Sequence, residues 1–100
     1  MKPIAKRFFL GFISIHILHH AAEEPVYGLW LIEELKHHGY DLSPGTIYPI
    51  LHALKVEGLI KSRDRIVEGK TRKYYETTAK GRKVLADSKN KIRELIHEVL

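Results

Sequence analysis

Hydrophobic positions follow two different periods along the chain, which together predict four helices and one β-hairpin. Segments 6–22, 26–38, 43–58 and 79–100 repeat their apolar residues at the three-to-four-residue spacing of an amphipathic helix. Segments 59–67 and 71–77 are instead rich in β-compatible residues, and Glu68-Gly69-Lys70 between them supplies turn chemistry. The pattern predicts a mainly α fold with a small β-hairpin, an α+β class.

The third predicted helix has the clearest boundaries. Ser43 is a candidate N-cap, Pro44 suits the first helical position, and Gly58 suits a helix end that requires positive φ. Pro49 lacks an N–H and disfavours a helix interior, so we predict that the helix proper starts near Thr46. One buried stripe is predicted from the positions Ile47, Ile50, Leu51 and Leu54.

The second and third helices together predict a DNA-binding motif. They are joined by a turn that contains Gly39, which is typical of a helix-turn-helix. The outer face of the third helix is almost free of acidic residues, which suits it to reading the major groove of DNA. The basic hairpin that follows predicts a wing, so we expect a winged helix-turn-helix domain at 1–78 and a C-terminal dimerisation helix at 79–100.

The first and last helices predict a second subunit. Apolar residues wrap more than one face of the first helix, so one face suits the core and another suits a partner subunit. The last helix repeats at heptad spacing, although packing against its own domain is the alternative. The predicted dimer interface consists of Leu85, Ile92, Leu95, Ile96 and Val99.

Charge and composition favour an anionic partner. Lys and Arg outnumber Asp and Glu by 17 to 12, a formal charge of +5, which favours nucleic acid first and acidic lipid second. Together with the helix-turn-helix pattern, this charge predicts double-stranded DNA as the partner. The absence of cysteine excludes disulfides and agrees with a cytoplasmic location. The apolar run at 8–18 is shorter than the roughly 20 residues that span a bilayer, so no membrane partner is predicted.

The chain resembles the PadR-type transcriptional regulators across about residues 10–85. The motifs, in the family's order and spacing, are Tyr27-Gly28, Ser43-x-Gly45-Thr46-Ile47-Tyr48-Pro49-x-Leu51-His52-x-Leu54, Glu57-Gly58-Leu59-Ile60, Arg72-Lys73-Tyr74-Tyr75 and Thr78-x-x-Gly81. The resemblance implies a winged helix-turn-helix, a homodimer built with the C-terminal helix, and a repressor acting on an inverted-repeat operator.

The resemblance also implies which residues touch DNA. The third helix would enter the major groove, and its predicted contacts are Ser43, Thr46, Tyr48, Pro49, His52 and Lys55. The wing would touch the backbone or the minor groove, and its predicted contacts are Lys70, Arg72 and Lys73. Ala53 and Val56 depart from the family, because relatives often carry basic residues there.

Other functions have weaker support. We find no nucleophile with a base at recognisable spacing, so no enzyme activity and no cofactor are predicted. His16 and His20 have the i, i+4 spacing of a metal pair, but no acidic partner is evident, so no metal is predicted. A winged helix that binds protein without specific DNA binding remains the alternative, and an unidentified small-molecule effector remains open as a further partner.

Overall fold

A computed structural model describes residues 4–100, so the first three residues of the predicted 1–78 domain lie outside it. In chain order the elements are α1 (Ile4–Glu23), β1 (Val26–Tyr27), α2 (Gly28–His37), α3 (Pro44–Val56), β2 (Ile60–Val67), β3 (Lys70–Thr77) and α4 (Ala79–Val99). The strands form an antiparallel sheet in the order β1-β3-β2. The predicted fold class, helices with a β-hairpin wing and a C-terminal helix, is confirmed.

Strand β1 was not expected from the sequence. Val26 and Tyr27 pair with Tyr75 and Tyr74 of β3, so the prediction that the second helix begins at Val26 is wrong. A β-branched and an aromatic residue suit a strand, and this pairing buries the Val26 side chain in the core. Helix α2 therefore begins at Gly28, directly beside the base of the wing.

Helix α3 starts earlier than predicted. The carbonyl of Ser43 accepts hydrogen bonds from the amides of Thr46 and Ile47, both at 3.0 Å, so the helix is already under way at Pro44. The prediction that the helix starts near Thr46 would place Pro49 in its first turn. Pro49 instead lies inside the helix, in the second turn. Ser43 occupies the N-cap as expected, but its hydroxyl caps no amide and lies 3.3 Å from the Thr46 hydroxyl instead.

Two turns have the backbone conformation that their sequences demand. Gly58 has φ of +76°, which confirms the predicted left-handed end of α3. The hairpin turn has positive φ at both Glu68 and Gly69, at 52° and 77°. Two consecutive positive φ values match the twist of the flanking strands, so this turn fixes the β2–β3 register.

The core lies between the first three helices and the inner face of the sheet, and α4 closes one side. Leu85 of α4 is only 6% exposed within its own chain and belongs to this core. This corrects the prediction that Leu85 belongs to the dimer interface, because its side chain is already covered within its own chain. The fully buried side chains at the centre are Ile17, Leu31, Leu35, Ile47, Leu51 and Ile60.

A short junction, Thr77 to Gly81, fastens the start of α4 to the rest of the domain. The Thr78 hydroxyl accepts from the Gly81 amide at 3.0 Å, which makes Thr78 the N-cap of α4, and donates to the Gly58 carbonyl at 2.6 Å. The Thr78 amide donates to the Leu59 carbonyl at 3.0 Å. The Leu59 carbonyl oxygen lies so close to Gly81 that a Cβ there would overlap it.

Helix α1 keeps apolar residues on its outer side as well as in the core. Phe8, Phe9 and Phe12 are each more than half exposed, whereas Ile13 and Ile17 are buried. Among residues 4–100, no helix has the length and apolar character needed to cross a bilayer. Helix α1 thus packs against the domain core on one side and exposes apolar side chains on another.

Substituting two helical glycines by alanine should change stability in opposite directions. Gly81→Ala should destabilise the fold by about 1–3 kcal/mol, because the new methyl group overlaps the Leu59 carbonyl. Gly11→Ala meets nothing within 4 Å and should stabilise by about 0.5–1 kcal/mol through helix propensity. Urea unfolding at one protein concentration measures both, and a Gly81→Ala variant as stable as Gly11→Ala would disprove the close approach.

Candidate nucleic-acid interface

The wing carries most of its positive charge on the face turned away from the core, where only Lys73 of its basic residues is absent. Directly paired residues of an antiparallel sheet point to the same side. Arg65 pairs with Arg72 and Arg63 pairs with Tyr74, whereas the buried Tyr75 belongs to the alternate set. The outer face of the hairpin is therefore a basic surface with tyrosine between its charges.

Two arginines on this face are held by aromatic rings. The Arg65 guanidinium carbon lies 4.7 Å from the centre of the Tyr74 ring, and that of Arg72 lies 4.5 Å from the centre of the Tyr27 ring. The two tyrosine rings meet edge to face at 5.4 Å. We call these four residues the arginine–tyrosine ladder. Cation–π contacts contribute about 0.5–1 kcal/mol each at exposed sites, so the ladder restrains both cations before any partner binds.

The three predicted wing residues meet around a cleft between the wing, the start of α2 and α3. Lys70, Arg72 and Lys73 all border it, and Tyr48 of α3 lies on the opposite side. Lys70 and Arg72 belong to the outer set of the hairpin, and Lys73 belongs to the alternate set. The prediction omitted Arg65, although the alternation of side chains along a strand pairs it with Arg72.

Tyr48 takes its position because residue 28 is glycine. A Cβ built on Gly28 would lie 2.5–2.8 Å from three atoms of the Tyr48 phenol, so a larger residue would displace the ring. Gly28 therefore admits the side chain of Tyr48 beside the start of α2. Tyr48 remains 42% exposed and presents its phenol beside the N-terminus of α2.

The six predicted contact residues of α3, Tyr48 included, point in three directions. All six are exposed, in agreement with an outward face. Thr46 and Pro49 border a groove against α1, away from the wing. Lys55 is seven residues after Tyr48, which places both on the flank toward the wing, and His52 lies between the two groups. The predicted contacts therefore form a broad surface with Tyr48 and Lys55 at its wing side.

A group of histidines lies apart from this surface and is larger than the sequence suggested. His16 and His20 of α1 are joined by His38 and Glu34 from the end of α2. Glu34 could not be identified as an acidic partner from the sequence, because its proximity to His20 depends on the packing of α1 against α2.

Comparisons with known proteins agree with this architecture. A model of the "Transcriptional regulator PadR-like family" matches residues 17–87. The chain belongs to the PadR-like family. Transcriptional regulator Rv3488 of Mycobacterium tuberculosis is 45% identical over 95 residues, which cover 95% of this chain and 89% of that protein.

Solved structures of PadR-like proteins superpose on nearly the whole chain. A PadR-like transcription factor from Bacteroides fragilis has a TM-score of 0.84 and 29% identity, covering 96% of this chain and 94% of its own. A PadR-like regulator from Bacillus cereus has a TM-score of 0.82 and 34% identity, covering 89% and 88%. The resemblance found in the sequence is therefore confirmed, and the chain is a PadR-like transcriptional regulator.

The packing of Tyr48 on Gly28 can be tested with a double-mutant cycle. Gly28→Ala should destabilise this PadR-like protein by about 1 kcal/mol, because the added methyl group displaces the phenol, which is the partly exposed end of a side chain. In a Tyr48→Ala background the same change should cost little, giving a coupling of about 1 kcal/mol. Urea unfolding of the four proteins measures the coupling, and an equal cost in both backgrounds would contradict the contact.

Proposed function

We propose that this PadR-like regulator binds double-stranded DNA sequence-specifically as a homodimer. The observation that carries the proposal is the cleft that Lys70, Arg72 and Lys73 of the wing border together with Tyr48 of α3. Wing and recognition helix then contact one duplex together, the wing at the sugar-phosphate backbone and the helix at the major groove.

The wing supplies affinity that does not depend on sequence. Neutralising backbone phosphates releases counterions, so each contact adds to the salt dependence of binding. Arg65 and Arg72 are restrained by the arginine–tyrosine ladder, which lowers the conformational entropy lost when they bind a phosphate. We add Arg65 to the proposed contacts Lys70, Arg72 and Lys73.

Helix α3 supplies sequence preference. His52 is exposed at the centre of its outer face and carries ring nitrogens that can bond to base edges. Tyr48 and Lys55 lie toward the wing, where they suit phosphate contacts that fix the register of the helix on DNA. Ser43, Thr46 and Pro49 lie along the N-terminal half of α3, where they suit contacts that depend on the shape of the DNA groove.

The dimer is proposed to form through α4 with help from α1. Leu95, Ile96 and Val99 are between half and two-thirds exposed, which leaves a row of apolar side chains along one side of α4. Ile92 and Leu95 also border an apolar groove that reaches Ile15 of α1. A second copy packed there would remove this surface from water, which is the main favourable term in most protein association.

A two-fold dimer implies a two-fold operator. Each subunit presents one recognition helix and one wing, so an inverted repeat with half-sites about 34–36 Å apart places both helices on one face of the duplex. Repression follows most simply, because a dimer on such a site near a promoter blocks access to it.

The proposal is tested by fluorescence anisotropy at two salt concentrations. The probes are DNA from upstream of the protein's own coding region and a scrambled duplex of equal length. Tighter binding to the upstream DNA, weakening steeply with salt, supports the proposal. Equal, weak binding to both duplexes opposes it and favours the alternative of a winged helix that binds protein.

Wing and helix substitutions should affect binding differently. Arg72→Gln should weaken binding to both duplexes by a similar factor and reduce the salt slope by about one unit, because one phosphate contact is lost. His52→Ala should change preference among operator sequences, by about 1–3 kcal/mol at the contacted base. Arg93→Gln removes the same charge from exposed α4 and serves as the control. Identical behaviour of the Arg72 and His52 variants would refute the assigned roles.

A charge on the apolar row of α4 should separate the subunits. Leu95→Glu places a carboxylate where the partner is proposed to pack, so the variant should sediment as a monomer. Asn90→Glu adds the same charge on the opposite side of α4 and should leave the dimer intact. A Leu95→Glu variant of unchanged mass in sedimentation equilibrium would exclude this row from the interface.

A further inference from the structure

Three histidines from two helices meet beside the turn that follows α2. His16 and His20 lie one turn apart in α1, and His38 is the C-cap of α2. The centre of the His16 ring is 4.7 Å from that of His38 and 6.2 Å from that of His20. One ring nitrogen of each histidine lies within 4.8 Å of the other two. Three neutral imidazoles this close offer three metal-binding lone pairs to one point.

A carboxylate lies beside two of the three histidines, His38 and His20, and can supply a fourth ligand if its side chain turns toward His16. Glu34 lies one turn before His38, and its Oε1 is 3.4 Å from Nε2 of His38 and 3.9 Å from Nε2 of His20. The Glu34 side chain is only 27% exposed, so it lies along the surface of the cluster and not out in solvent. Three nitrogens and one carboxylate oxygen are enough for a four-coordinate site.

The Nε2 atom of His20 has no other role within the described residues. It is buried and has no hydrogen-bond partner. A buried polar atom without a partner costs about 1–3 kcal/mol, and such atoms are rare in folded proteins. A metal ion bound to this nitrogen would remove that cost.

We propose that His16, His20, His38 and Glu34 form a binding site for a divalent transition-metal ion such as Zn²⁺. Imidazole and carboxylate are the donors that suit Zn²⁺ and its neighbours Co²⁺ and Ni²⁺, whereas the chain has no cysteine for thiolate-selective ions. Nitrogens bound to a tetrahedral zinc lie roughly 3.3 Å apart, so the rings must close by about 1–1.5 Å. The donors end flexible side chains, so rotation about their torsions can supply this movement.

The surroundings of the cluster favour the binding of a cation. Burial lowers the pKa of His16 and of His20, and neighbouring histidines lower it further against the opposing effect of Glu34, which favours the neutral imidazole that can donate a lone pair. The C-terminus of α2 ends at the cluster, and the partial negative charge of a helix C-terminus stabilises a cation.

A second triad shares one ligand and must be distinguished. His19, His20 and Glu23 also lie within 4.8 Å of one another, but all three belong to α1. The Glu23 side chain is 64% exposed, whereas that of Glu34 is 27% exposed. The cluster with His38 joins two helices and contains a carboxylate that is largely shielded, so it is the better site.

The test is a titration of tag-free, metal-depleted protein with Zn²⁺ by calorimetry and with Co²⁺ by visible absorption. We expect one ion per chain and the strong visible bands of tetrahedral Co²⁺. His38→Ala should weaken binding by at least about 10-fold, because a donor is lost. His37→Ala removes an adjacent exposed histidine outside the cluster and should bind as the unmodified protein does.

Further variants keep the test decisive. His19→Ala should not change the affinity, and loss of binding in His19→Ala but not in His38→Ala would assign the ion to the other triad and overturn the proposal. Glu34→Gln preserves the shape of the side chain, so it replaces any alanine variant that fails to fold. Zn²⁺ should raise the melting temperature of the unmodified, His37→Ala and His19→Ala proteins by the same amount, and that of His38→Ala by less. Equal effects of Zn²⁺ on the His37→Ala and His38→Ala variants would also refute the site.

Discussion

The junction between β3 and α4 is the contact on which the arrangement of the helices depends. Thr77 donates through its buried hydroxyl to the Leu18 carbonyl of α1 at 2.8 Å, and Thr78 binds the backbone at the end of α3. The close approach of Gly81 to Leu59 leaves no room for a Cβ. The direction of α4 is therefore fixed against both α1 and the end of the recognition helix. If α4 joins two subunits, as proposed, the same junction sets where each recognition helix lies in the dimer.

A second set of contacts organises the opposite end of the domain. Strand β1 brings Tyr27 against β3, and Gly28 directly after it leaves space for the Tyr48 phenol. The Tyr27 ring also lies against the Arg72 guanidinium. Two adjacent residues, Tyr27 and Gly28, thus connect the wing to α2 and α3.

Much of the fold was predictable because its determinants are local. The stripe from Ile47 to Leu54, the cap at Thr78 and the positive φ at Gly58 each follow from spacing or from one residue's backbone preference. Features that depend on tertiary contact were missed. The two-residue strand β1 exists only through pairing with β3, and Pro49 is tolerated inside α3 although its intrinsic preference opposes it. Leu85 has the spacing of a seam, yet packing covers it in its own chain. Glu34 reaches the histidines only because α2 packs on α1.

The unequal lengths of the strands give the wing a gradient of stiffness. Strand β1 pairs only with Tyr74 and Tyr75, so β3 has neighbours on both sides at its base but on one side from Lys70 to Lys73. A two-stranded ribbon twists more freely than a three-stranded sheet, and its backbone amides open at lower free energy. The base can hold the two tyrosines of the ladder, Tyr27 and Tyr74, in a fixed place, while the two-stranded part that carries Arg65 and Arg72 bends to follow a surface. A wing built this way can accommodate grooves of different width without disturbing the core.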